Sequence, residues 1–285
     1  MAHNPKRLSR LRAVMGEQGI DVLYVRELSN ISWATGFERV FDDEPALVVS
    51  ARNCVLHTDS RYFDAMKSAA ADADIEVDNS RMAHSAVLAQ VSDCIDGDIV
   101  RVGIEDSMPL AEYRALQRTF EGRAIDLVEL SGFVEELRQV KDESEITAMR
   151  KAQSITDAAF ANIIAFMKPG MTEREVQLQL DRYMYEGGAE GLAFGTIVAT
   201  GAHAASPHAI PGETKLAFGD AVVMDFGARY AGYCSDMTRT VFVGEPSDEA
   251  RRAYGAIRRA NEECEAMLRA GLSGADVHQH AEAVL

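Results

Sequence analysis

The sequence predicts an α/β domain followed by an α+β domain, and three features carry that expectation. Its 285 residues suit about two domains, each large enough to bury a core. Over the first half, helical three-four spacing alternates with short apolar runs of strand length, the pattern of helices packed on a sheet. Past residue 140, long amphipathic helices precede a block of strands.

From Pro5 to Gln18, Leu8, Leu11, Val14 and Met15 share one helical face, and Gly19 ends the run before a buried strand at 21–25. Strands are expected near 46–50 and 53–58, a helix from about Tyr62, a strand at 75–77 and a helix around 83–94. A strand at 100–104, a helix from Pro109 and a strand at 124–128 complete the first domain. Residues 129–141 form a polar, helix-favouring connection, which places the two domains at 1–135 and 136–285. A long helix carrying Ile146, Met149, Ile155, Ala159, Ile163 and Met167 follows, and Lys168-Pro169-Gly170 stops it. Thr172 with Glu175 makes a capping box for the next helix, to about Glu186. Strands are then expected at Gly195–Thr200, Ala221–Phe226 and Tyr233–Val243. Helices follow from Ser247 to about Ala270 and from Ala275 to Leu285.

Composition excludes several functions. With 47% hydrophobic and 26% charged residues the chain is neither disordered nor of low complexity. A net charge of −16, spread along the chain, opposes binding to a phosphate backbone, so no nucleic-acid partner is expected. No stretch approaches a membrane span, and the basic N-terminus lacks the apolar run of a signal peptide. Cys54, Cys94, Cys234 and Cys264 form no CxxC pair and read as free thiols in a reducing compartment, the cytoplasm. GxGxxG, P-loop, GxSxG and HExxH motifs are absent.

The segment from Ser206 to Val243 carries the chemistry. Asp225 and Asp236 lie in two strand-like runs with Ala231-Gly232 at the bend. Folding symmetrically about Tyr230 and Ala231 would set the two aspartates directly opposite each other, where like charges destabilise a sheet. A divalent cation bridging them is the natural compensation, and a pair of such ions activates water for hydrolysis. Oxygen donors favour hard ions such as Mn²⁺. The alternative is that both are solvated turn residues. Their position within apolar runs, where an unpaired carboxylate is costly, counts against it.

These residues closely resemble the metal-site hairpin of the two-domain pita-bread metallohydrolases, the family of aminopeptidase P, prolidase and creatinase. The matching stretches are Pro207-His208-Ala209, Gly219-Asp220, Asp225-Phe226-Gly227-Ala228 and Gly232-Tyr233-Cys234-Ser235-Asp236-Met237-Thr238-Arg239-Thr240. His208 lies seventeen residues before Asp225, and Asp236 eleven after it, as in the family. Residues 140–146 resemble the family's entry into its catalytic domain, and residues 30–37 and 58–62 its creatinase-type N-terminal module.

The resemblance implies a metal-dependent Xaa-Pro aminopeptidase or Xaa-Pro dipeptidase acting on short proline-containing peptides as a homodimer. Asp225 and Asp236 would be two of five ligands to two divalent metal ions, manganese first and cobalt or zinc as alternatives. His208 would be the catalytic histidine that hydrogen-bonds the peptide carbonyl or the tetrahedral intermediate. Family members continue past the last helix here with a further ligating histidine and two glutamates, so the pita-bread domain is expected to be partial and its site incomplete. Two other readings stand beside this one: a metal-independent creatinase-like amidinohydrolase, and a truncated, non-catalytic homologue acting as a binding or assembly partner. Cys234 is expected to pack rather than to act as a nucleophile. His278 and His280 are expected at the surface, while His3, His57, His84 and His203 have no motif support.

Overall fold

Strand β1 (Val22–Val25) is buried at all four positions, as a strand covered on both faces must be, and the first sheet extends to either side of it. The computed structural model describes residues 4–37, 45–70 and 73–285. The chain divides into two units, Met1–Ala148 and Met149–Leu285.

In the first unit β1 is joined by β2 (Ala46–Ser50), β3 (Cys54–His57), β4 (Glu76–Asp78), β5 (Val100–Glu105) and β6 (Ile125–Leu130) in the order β4-β3-β2-β1-β5-β6. The β1-β2 and β2-β3 pairs are antiparallel, while β1-β5, β5-β6 and β3-β4 are parallel. Strand alternation sends Leu23, Val25, Leu47 and Val49 into one core and Val22, Tyr24, Ala46 and Val48 into another. Helices α1 (Pro5–Glu17), α2 (Leu28–Thr35), α3 (Phe63–Ala69) and the later α6 (Phe133–Gln139) supply residues to the first core. Helices α4 (His84–Asp93) and α5 (Leu110–Thr119) supply the second. The α/β expectation therefore holds for the first unit, and its strands and long helices fall where the periodicity puts them. Helix α2 is the exception. Its sequence, LSNISWAT, is short and poor in strong helix formers. Tertiary bonds hold it: buried Asn30 donates to Glu105 (2.7 Å) and Glu135 (2.6 Å), and Arg138 donates to Asn30 (2.8 Å).

The connection at 140–146 starts helix α7 (Glu143–Phe166). Asp142 Oδ1 accepts from the backbone N–H groups of Ser144 and Glu145, and Glu145 Oε2 accepts from the Asp142 N–H, a reciprocal cap. The same carboxylate accepts from Nε and Nη2 of buried Arg7 (3.1 and 2.9 Å) and from Asn4 (2.7 Å). Partial burial raises the Asp142 pKa, but its bonds to Ser144, Glu145 and Arg7 outweigh that and hold it well below the usual carboxylate range.

In the second unit α7 and α8 (Glu173–Glu186) cover one face of a three-stranded antiparallel sheet. Its strands are β8 (Ile197–Thr200), β9 (Ala221–Phe226) and β12 (Met237–Phe242), in the order β12-β9-β8. A second sheet, β11-β10-β7, joins β7 (Gly191–Leu192), β10 (Ala228–Tyr230) and β11 (Tyr233–Cys234). The capping box at Thr172 and Glu175 forms as the sequence predicts. Helices α9 (Asp248–Met267) and α10 (Gly274–Val284) pack on each other, and Ala260 is the one residue of the pair that is fully buried. Among the described residues no helix is long and apolar enough to cross a membrane, and all four cysteines are free thiols.

Asp142→Ala removes a helix cap and one of several partners of the buried Arg7 guanidinium, which keeps Glu145 and the Trp33 carbonyl, and is expected to lower the unfolding free energy by roughly 2 kcal/mol in urea denaturation at pH 7. Because the folded pKa is depressed, this stabilisation is present above the unfolded value of about 4 and is lost as pH falls through the folded pKa. The gap between wild type and Asp142→Asn should therefore persist from pH 7 to about pH 4 and close only below it.

Candidate metal centre

Two left-handed residues set the hairpin register. Ala231 (φ 50°) and Gly232 (φ 77°) are the central pair of a two-residue loop, so Tyr230 pairs with Tyr233 and Arg229 with Cys234. Further along, Phe226 pairs with Met237 and Asp225 with Thr238. Asp225 therefore does not face Asp236, contrary to the symmetric fold about Tyr230 and Ala231. The loop centres one residue later because both of its central positions need positive φ. Glycine meets that need at 232, and a tyrosine at 230 would resist it.

The register slips by two residues, and a slip of two keeps every side chain on its own face. Val222, Met224, Phe226, Ser235 and Met237 point into the core, while half-buried Asp225 and exposed Asp236 and Thr238 lie on the other face. The aspartates are diagonal neighbours, a relation that typically separates β-carbons by roughly 7 Å rather than 5 Å. Two sequence arguments thus weaken: the carboxylates are not in direct opposition, and the apolar runs around them face away from them. The juxtaposition itself survives. Thr238 Oγ1 donates to Asp225 Oδ1 (2.9 Å), and Asp236 makes no hydrogen bond among the described residues.

Gly227 lets the hairpin pass from one sheet to the other. A β-carbon there would collide with the Ser235 carbonyl oxygen and press on the Ala193 side chain. The buried Ser235 hydroxyl accepts from the Ala228 N–H (2.9 Å) and bonds Thr156 of α7 (2.6 Å), so the crossing is tied to the helix beneath it. Cys234 is exposed rather than packed. Its thiol pKa is raised, by partial burial first, with Arg229 pulling the other way, so it is no activated nucleophile.

His208 is exposed, in a turn after a short 3₁₀ helix (Gly201–Ala205), and makes no hydrogen bond among the described residues. Its loop is anchored by two acids. Asp220 Oδ2 accepts from Thr200 Oγ1 (3.0 Å) and the Ala217 N–H (2.9 Å), which gives Gly219-Asp220 a structural task. Glu173, fully buried, accepts from the Thr200 N–H (2.9 Å), from His203 Nδ1 (2.8 and 2.9 Å) and from the Gly212 N–H (3.2 Å). The sequence marked neither Glu173 nor His203, since a buried acid in a helix's first turn looks like any other first-turn acid. His278 and His280 sit beside Glu282 and Glu263 on α10 and α9, and His3 lies outside the described residues.

Among the described residues no group of three or more histidine, cysteine or acidic side chains is gathered as a metal shell. Asp225 and Asp236 suit a divalent ion as donors: both are hard oxygen ligands, on one face, with one Asp225 oxygen and both Asp236 oxygens unengaged. A cavity of about 470 Å³ lies elsewhere, in the first unit, lined by His57, Thr58, Arg81 and His84 among others.

Residues 7–140 match the creatinase/prolidase N-terminal domain, and residues 147–285 match metallopeptidase family M24. An uncharacterized peptidase of Bacillus subtilis, YqhT, is 34% identical over 271 residues, covering 94% of this chain and 74% of that protein. The chain belongs to the M24 metallopeptidase family. An uncharacterized peptidase of Staphylococcus haemolyticus is 40% identical over 152 residues, 43% of its length. Among solved structures, an Xaa-Pro dipeptidase from Bacillus anthracis aligns with TM-score 0.87 at 32% identity, covering 98% of this chain and 76% of that one. An X-Pro aminopeptidase from Thermotoga maritima aligns with TM-score 0.83 at 31% identity, with the same coverage. The M24 chain thus has the creatinase-type first domain and the pita-bread second domain that its motifs implied, and spans about three quarters of these solved neighbours. It is a peptidase of a family that uses divalent metals.

Gly227→Ala is expected to destabilise the M24 unit by about 3 kcal/mol or more, because the clash is with backbone that cannot rotate away. Ala231→Gly should do the opposite, raising stability by about 1 kcal/mol as left-handed strain is relieved. Thermal unfolding of the two variants checks both signs.

Proposed function

We propose that this M24 chain belongs to an Xaa-Pro peptidase that hydrolyses the bond preceding proline in short peptides, as aminopeptidase or dipeptidase. The observation that carries the reading is the hairpin, which presents Asp225 and Asp236 on one exposed face within the motif that follows Pro207-His208-Ala209. The Xaa-Pro dipeptidase of Bacillus anthracis and the X-Pro aminopeptidase of Thermotoga maritima support the substrate class.

Asp225 and Asp236 would be two of five ligands to two divalent ions, manganese by preference, with cobalt or zinc as alternatives. When bound, such ions polarise a carbonyl and lower the pKa of water enough to give a nucleophile near neutral pH. Asp225 is suited to ligation because Thr238 engages one of its oxygens and fixes the carboxylate plane, leaving the other oxygen for the ion. Asp236, exposed and without a hydrogen-bond partner among the described residues, keeps both oxygens for ligation. His208 would donate a hydrogen bond to the scissile carbonyl oxygen, and that bond strengthens as negative charge develops there. Two carboxylates on one face have an evident use in a metal-dependent hydrolase and none in a metal-independent amidinohydrolase. A homodimer in the cytoplasm belongs to the same proposal.

Assays of the protein expressed from its gene, with Mn²⁺ and Xaa-Pro dipeptides or Xaa-Pro-Yaa tripeptides, test it. Chelation and Asp225→Asn should each abolish turnover. His208→Ala should lower kcat by roughly 10²- to 10³-fold with a smaller change in KM. Turnover that persists in Asp225→Asn with metals chelated would refute the mechanism.

A further inference from the structure

Glu173 is fully buried, yet helix α8 does not need it as a cap, since Thr172 and Glu175 already satisfy one another's backbone donors. Its three partners instead mark the start, interior and end of the loop that carries His208. They are the Thr200 N–H, the His203 imidazole and the Gly212 N–H. The backbone beside Glu173 repeats the attachment, its own N–H donating to Thr214 O (2.9 Å) and that of Arg174 to Gly212 O (3.1 Å). A relay then runs toward His208. The His203 carbonyl accepts from the Ser206 N–H (3.0 Å), and the Ser206 carbonyl accepts from the N–H of buried Ala209 (3.2 Å). His208 has no hydrogen bond of its own among the described residues, so the backbone on either side of it sets the point from which its side chain projects. Because a carboxylate only accepts, His203 Nδ1 is the donor in this contact.

We propose that Glu173 is a positioning residue for His208: its buried carboxylate clamps both ends of the 200–212 loop and, through His203, the turn that presents the histidine. The proposal rests on the peptidase reading of His208 for its functional consequence, while the clamp itself is testable without activity. A carboxylate can serve all three donors, whereas glutamine keeps one acceptor oxygen and turns the other into a donor. Glu173→Gln should therefore lose one end of the clamp and Glu173→Ala both.

Amide hydrogen exchange on the 285-residue chain reads this directly. Exchange at Thr200 or Gly212 should speed by at least about 10-fold in Glu173→Gln, and at both in Glu173→Ala, with β9 and β12 amides unchanged. If Glu173→Ala does not fold, Glu173→Gln alone decides. In peptidase assays, Glu173→Ala should lower kcat by roughly 100-fold with little change in KM, the scale of an ångström-sized misplacement, and Glu173→Gln should recover part of it. His203→Asn, which keeps a donor near the Nδ1 position, should retain more kcat than His203→Ala. Unchanged exchange at Thr200 and Gly212 in the glutamine and alanine variants, or full kcat with both ends released, would overturn the proposal. If His208→Ala leaves turnover intact, the peptidase reading of His208 fails instead, and the exchange result still judges the clamp.

Discussion

The hairpin from Ala221 to Phe242 can bend from one sheet into another only because position 227 carries no β-carbon. The Ser235 carbonyl occupies the space that a side chain would need, and the Ser235 hydroxyl then ties the crossing strand to Thr156 of α7. The pleat of the paired strands turns Phe226 and Met237 inward and leaves Asp225, Asp236 and Thr238 on the opposite face. A glycine in this motif is thus a steric requirement of the strand crossing, and the pleat displays the acids that flank the crossing.

Acids wholly or partly withdrawn from water organise the rest of the molecule. In the first unit Glu105 is engaged by Asn30 and by the N–H groups of Arg26 and Glu27, although burial still raises its pKa. Asp142 closes the first turn of α7 around the Arg7 guanidinium. In the second unit Glu173 does for the 200–212 loop what Asp142 does for a helix. Each carboxylate gathers several donors from segments distant in sequence, which offsets the cost of removing it from water and fixes a loop that apolar contacts alone would leave poorly specified.

Much of this was legible in one dimension where the physics is local. The capping box at Thr172 and Glu175, the stop at Lys168-Pro169-Gly170, the apolar faces of α1 and α7, and the alternating strands of the first unit all depend on near neighbours and fall where the sequence put them. The hairpin was legible as a motif, yet its register was off by two residues. A single-residue error in the centre of a loop doubles across a ladder, and only the left-handed backbone at both Ala231 and Gly232 marks the true centre. Helix α2 was missed because Asn30 is held by Glu105, Glu135 and Arg138, none of them local.

Asp225, Asp236 and His208 stood out as candidates by residue type, spacing and family resemblance, because the residues of this hairpin motif lie close together along the chain. That information was enough for family and fold. Glu173 and His203 were not identified, because what distinguishes a buried acid with three long-range donors from a solvated first-turn glutamate is its surroundings. Those surroundings come from residues 27 to 39 positions further along the chain, which only the folded backbone brings to the start of α8.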